Sequence, residues 1–133
     1  MKKLCILTLF FTAISFCFLS CSKDEVSGII NTTWTANDEG DGDVVVLKFI
    51  SGNKVQLYWA DSNLNISGSV YTGSYVIDGD NITFNLLGHS HWWWYAFDKG
   101  VISGNTMEVS RRYGNSSEND KLHSWVPITL IKK

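Results

Sequence analysis

One short pattern returns three times in this chain and limits its fold more than anything else in it. Ile50-Ser51-Gly52-Asn53-Lys54-Val55 recurs as Ile77-Asp78-Gly79-Asp80-Asn81-Ile82 and again as Ile102-Ser103-Gly104-Asn105-Thr106-Met107, at intervals of 27 and 25 residues. Each copy is an apolar residue, a polar-Gly-polar turn, one spacer and a second apolar residue. Gly with Asn or Asp tolerates the backbone angles of tight hairpins, so the copies predict three β-hairpins in sequence. The flanking segments alternate as half-buried strands do. Val45, Leu47 and Phe49 share one face, as do Val55, Leu57 and Trp59. Gly73, Tyr75 and Ile77 continue the pattern, followed by Ile82, Phe84 and Leu86, then Met107 and Val109, then Ile128 and Leu130. A short strand around Trp34 and a long one from about Trp92 to Ile102 bring the number to eight. Gly100 is expected to mark a bulge, because apolar parity is untidy around it. No stretch after residue 25 carries sustained helical spacing with caps. Eight sequential strands with one apolar face remove their edges by closing into a barrel; an open, strongly curved sheet packed on itself is the alternative.

The first twenty residues read differently. Lys2 and Lys3 precede an apolar run from Leu4 to Leu19, interrupted only by Thr8, Thr12 and Ser15. That is the charged start and hydrophobic core of an export signal, and it is short for a transmembrane span. Phe18-Leu19-Ser20 before Cys21 resembles a lipobox, with Phe18 where Leu is more usual. The resemblance implies cleavage after Ser20 and a diacylglycerol on the Cys21 sulfur, commonly with a third acyl chain on its amine. An uncleaved anchor is the alternative. Cys5 and Cys17 would leave with the signal, so no disulfide would support the exported domain. Two or more acyl chains hold a protein firmly where one holds it marginally. The run Ser22-Lys23-Asp24-Glu25 resembles the surface-export signal of Bacteroidetes-type lipoproteins; a solvated tether is the bland reading of the same residues. The expected organisation is thus a signal over 1–20, a lipidated tether over 21–29 and a β-domain over 30–133, facing outward from an outer membrane.

From Cys21 onward there is material for one domain. Of eleven basic residues, Lys2 and Lys3 belong to the signal, leaving nine against thirteen acidic ones and a formal charge of −4. This argues against nucleic-acid binding and against docking on anionic head groups beyond the covalent anchor.

Several motifs together resemble the lipocalin-like lipoproteins of Bacteroidetes. They are Thr-Thr-Trp-Thr (Thr32 to Thr35), Gly-x-Tyr-x-Ile-Asp-Gly (Gly73 to Gly79), Ile-Ser-Gly-Asn-Thr-Met (Ile102 to Met107) and the closing Thr-Leu-Ile-Lys-Lys (Thr129 to Lys133). The resemblance implies an all-β, up-and-down antiparallel meander closed into a small eight-stranded barrel, and it assigns no activity. True lipocalins place Gly two residues before the first-strand Trp; Thr32 stands there in this chain.

The most unusual segment is His89-Ser90-His91-Trp92-Trp93-Trp94-Tyr95. On a strand, Trp92 and Trp94 point one way and His91, Trp93 and Tyr95 the other. With Tyr58 and Trp59 from another strand they are candidates for an aromatic platform suited to sugar rings or planar apolar ligands. The competing reading is that these rings fill a small barrel and cover its rim, in which case a deep calyx is excluded and only a shallow mouth remains. His89 and His91 would need His123 to hold a metal, and no thiol or neighbouring carboxylate supports them, so no metal is expected. Asn37 to Asp43 reads as a solvated loop: in an EF-hand alignment starting at Asn37, Lys48 falls where a bidentate Glu is required. No Ser-His-Asp spacing, nucleophile elbow or phosphate loop occurs, and Arg111-Arg112 puts one arginine on each strand face. The expectation is a non-enzymatic lipoprotein without a cofactor, binding a sugar or small apolar compound. A protein-binding or inhibitory module using the same aromatics is the alternative.

Overall fold

The computed structural model describes residues 28–37, 42–90, 93–115 and 124–133, with backbone alone at Ser90, Trp93 and Asn115. The expected signal, Cys21 and Ser22 to Glu25 lie outside the described residues. Eight strands follow in order: β1 (Thr33–Asn37), β2 (Val44–Ser51), β3 (Lys54–Ala60), β4 (Ile66–Asp78), β5 (Asn81–Ser90), β6 (Trp93–Ser103), β7 (Thr106–Asn115) and β8 (Val126–Lys132). Each pairs antiparallel with the next, and β1 returns to β8, so the sheet is a closed meander barrel. Of the two architectures the sequence allows, closure is the one adopted.

The repeated hairpins all lie at one end, here called the turn end. Asp78 pairs with Asn81 and Ser103 with Thr106, leaving two-residue loops whose first residues, Gly79 and Gly104, have φ of 60° and 59°. A positive φ at that position alone is the pattern of a type II′ turn, whose twist matches the strands. The first copy, at Ile50 to Val55, is built otherwise. Its register shifts between Phe49 and Ser51, and Gly52 does not need a positive φ. The expected irregularity at Gly100 is present: Phe97 pairs with Arg111 and Gly100 with Val109, so Asp98 and Lys99 together face Ser110. Glycine is required there by space, since a Cβ would stand 2.5 Å from the Glu108 carbonyl.

Alternation sorts the side chains. Along β5, Ile82, Phe84 and Leu86 are buried while Asn81, Thr83, Asn85 and Leu87 are exposed. All the inward residues named from the sequence meet in one core except Gly73, which has no side chain, and Ile77, which packs partly buried against it. Aromatic rings run through that core. Phe49 meets the Tyr75 ring edge-on at 4.8 Å, Phe84 stands 6.2 Å from both Phe49 and Phe97, and the Tyr75 hydroxyl donates to the Ser51 carbonyl at 2.7 Å. These rings occupy the volume that a deep calyx would need.

The chain enters at the turn end through a fastened corner. Asn31 has φ 63°, and its N–H donates to the Phe49 carbonyl at 2.8 Å. The Thr32 hydroxyl donates to the Ile29 carbonyl and accepts the Trp34 indole N–H at 2.8 Å. Where lipocalins have Gly, this chain therefore has a hydroxyl that links the corner to the buried first-strand tryptophan. Ile29 is buried in the core, so packing begins at the corner itself.

Gly73 provides a direct test of how tight the wall is. A Cβ there would lie 2.4 Å from the backbone oxygen of Asn85 and 2.8 Å from a Leu86 methyl, whereas one on Gly52 would meet nothing within 4 Å. Because a backbone oxygen cannot swing away, Gly73→Ala is expected to destabilise the protein by about 1–3 kcal/mol. Gly52→Ala should stay within about 0.5 kcal/mol of the parent. Urea unfolding of the two variants checks both.

Candidate functional site

At the end opposite the turns, the interior changes character. Continuing inward parity from Leu57 brings Trp59 to the end of β3. Continuing it from Val109 brings Arg111 and Tyr113 to the end of β7, and Tyr95 lies inward near the start of β6. Trp59 and Tyr95 are buried with ring centroids 4.9 Å apart, and Tyr113 lies 6.2 Å from Tyr95. The Arg111 guanidinium is 5.6 Å from the Tyr95 ring centre and 5.5 Å from that of Tyr113. Arg111 is 6 % exposed. Taking a guanidinium from water costs several kcal/mol, which stacking on two rings offsets in part.

Two further features shape the floor. Gly88 faces inward on β5, where a Cβ would stand 2.4 Å from a Leu57 methyl and 3.3 Å from the Trp59 ring, so its lack of a side chain leaves room for both. Tyr71 on β4 donates its hydroxyl to the His89 carbonyl at 2.6 Å. On the rim, the loop between β3 and β4 is held by Asp61. Its carboxylate accepts the N–H groups of Asn63 at 2.8 Å and Asn65 at 2.9 Å and the Asn65 side-chain amide at 2.9 Å. The Asn65 side chain first, then its backbone N–H and that of Asn63, holds this carboxyl below the usual carboxylate range.

The aromatic candidates named from the sequence divide between two surfaces. Trp59 and Tyr95 meet inside. Tyr58, one residue from Trp59, points outward and is buried with Val46 and Ala60 in a separate small cluster on β2 and β3. Trp94 also points outward, pairs across the strands with His89 and packs against its ring at 4.3 Å with the planes tilted by 56°. Trp92 and the Trp93 side chain lie outside the described residues. A single platform from Tyr58, Trp59, Trp94 and Tyr95 is therefore not formed, because neighbours along a strand face opposite sides. Residues His91 and His123, which a metal site would need beside His89, also lie outside the described residues. Among the described residues no group of three His, Cys, Asp or Glu side chains is placed to hold a metal.

Arg111 and Tyr113 were not singled out by sequence reasoning. The signal was present as parity: they are the next two inward positions after Met107 and Val109, at the end of a strand where the core stops being aliphatic. Arg112 takes the outward position, its guanidinium 4.7 Å from the centre of the Trp125 ring. With Leu87, Ala96 and Arg112 joined by strand pairing, and His89 paired with Trp94 in the adjoining row, the outer wall near this end carries an aromatic and apolar strip. Leu87 is 53 % and Trp125 43 % exposed.

Set against known proteins, the chain matches no family model, no curated protein and no solved structure. Its own geometry defines its class: a closed eight-stranded antiparallel meander barrel, apolar through most of its interior, with an arginine-tyrosine-tryptophan cluster at the loop end.

Burial pushes the phenols of Tyr58 and Tyr75 above the usual tyrosine range. A raised pKa in the folded protein means the unfolded chain loses these protons first as pH rises. The contribution is whole below about pH 10 and is lost as pH climbs through the folded values. Alkaline unfolding should therefore set in from about pH 10, and Tyr58→Phe or Tyr75→Phe should each flatten the fall in stability above that pH. Denaturant titrations at a series of pH values measure the slope.

Proposed function

We propose that this chain is an outer-membrane lipoprotein, anchored through acyl chains on Cys21 and carried to the cell surface by Ser22 to Glu25, whose barrel binds a small ligand without chemical turnover. The observation that carries the binding reading is the loop-end cluster: Trp59 and Tyr95 bring two aromatic rings together beneath the loop end, of the kind that suits a sugar or flat apolar body, and Arg111 adds a planar cation of the kind that suits hydroxyl or carboxylate groups. Filling of the rest of the barrel by its own side chains supports a shallow mouth in place of a deep lipid pocket. The short motifs resembling lipocalin-like lipoproteins favour the same class.

Tryptophan fluorescence and thermal melts of the protein with glycans, planar carboxylates, fatty acids and bile-like amphiphiles test the reading. One class should saturate, and at 100 times its dissociation constant it should stabilise the fold by about 2.7 kcal/mol. Tyr113→Ala and Arg111→Gln should weaken that binding at least tenfold, on the order of 1.4 kcal/mol. Radiolabelled palmitate should enter the parent and not Cys21→Ala. Absence of any saturable class would overturn the small-ligand reading.

A second reading rests on the outer strip. Trp94 on His89, Arg112 on Trp125 and exposed Leu87 form a convex aromatic surface, which suits a protein partner better than a small molecule. Leu87→Glu would abolish capture of such a partner and leave small-ligand binding unchanged.

A further inference from the structure

We infer that the barrel stands on its turn end at the membrane, with the Trp59–Tyr95–Arg111 end directed away from the lipid. This rests on the Cys21 anchor proposed above and adds to it a fixed polarity. The chain enters the barrel at Gly28, beside the turns. Ile29 is buried there, its carbonyl receives the Thr32 hydroxyl, and Asn31 is bonded to Phe49, so the point of entry is not free to migrate along the wall. From Cys21 to that point there are seven residues, which span at most about 25 Å when fully drawn out.

The barrel's own height decides the matter. β5 has 10 residues. At about 3.3 Å per residue and a tilt of about 40°, it lifts the loop end roughly 23 Å above the turns. A tether attached at the turns would have to spend nearly its whole reach running the length of the wall before the loop end could touch lipid. Only about 2 Å of a fully stretched tether would remain for Cys21 to place its acyl chains in the bilayer. Tilting is allowed by these lengths; inversion is not. The loop end, with Trp59, Tyr95 and Arg111 buried just beneath it, then faces the medium, and the membrane-facing surface is built from three tight hairpins with Lys132 and Lys133.

Loss of the signal removes Cys5 and Cys17, and the Cys21 sulfur is acylated, so one introduced cysteine is the only free thiol. An environment-sensitive fluorophore is placed on Asn105→Cys at the turn end or Asn63→Cys at the loop end of the full lipidated protein. Each is reconstituted in phosphatidylcholine vesicles containing a head-group nitroxide lipid. Quenching several-fold stronger at position 105 than at 63 is the expected result. Equal quenching means the barrel lies on its side, and stronger quenching at 63 means it is inverted; either overturns the inference while leaving the anchor intact. If neither probe is quenched and the protein does not float with the vesicles, the anchor reading fails and takes the inference with it. A Gly-Ser insert of about twenty residues after Glu25, with a contour of about 65 Å, should erase the asymmetry. Its persistence would overturn the tether as the cause.

Discussion

The seam between β1 and β8 is the constraint on which the rest of this barrel depends. β1 has five residues, and only Trp34 with Lys132 and Thr35 with Ile131 pair across the closure, joined by the Lys133 N–H to the Thr33 carbonyl at 2.9 Å. Seven other strand pairs have more contact, yet without this one the sheet is open and two rows of backbone groups are left bare. The weight falls on packing beneath the seam. Trp34 is 2 % exposed, is tied through Thr32 to the Ile29 carbonyl, and plugs the turn end where its strand is too short to hold by hydrogen bonds alone.

Closure also imposes a strict division of labour on side chains. Every strand must offer the same parity to the axis, and the axis has room for little beyond the rings of Phe49, Tyr75, Phe84 and Phe97. Two glycines, at positions 73 and 88, give up their side chains so that Leu86, Leu57 and Trp59 fit. Among the described residues the one buried charged side chain is Arg111, and it sits near the loop end against its tyrosines. Aliphatic and phenylalanine packing thus gives way to tryptophan, tyrosine and arginine along one continuous stack, and the change falls near Leu57 and Phe97.

Much of this was written plainly in the residues. The three Ser/Asp-Gly-Asn/Asp copies located the hairpins because a two-residue turn leaves few chemical alternatives, and period-two apolar spacing named nearly all of the core. The disturbance at Gly100 was visible as broken parity. Less was legible where outward residues are buried too: Tyr58 looked like a free ring because nothing local shows that Val46 and Ala60 surround it on the outer wall. The run of aromatics from Trp92 to Tyr95 drew attention as a block, yet Trp94 and Tyr95 act on different surfaces. Arg111 was set aside because an arginine pair with one member on each strand face makes a poor clamp for an anion. Only the neighbouring strands, with Tyr95 placed beside it, make burial of that cation acceptable.

The unequal lengths of the connections have an evolutionary consequence. Register is pinned at the turns, where two residues join successive strands and any insertion would slide one wall against the next. At the other end the link from β7 to β8 runs over ten residues, 116–125, and the described β7–β8 pairing ends at Arg111 with Val126. Such a molecule can drift in sequence around its loop end while its frame stays the same. Descendants of one ancestor would keep the hairpins and the inner stack and differ in their loops.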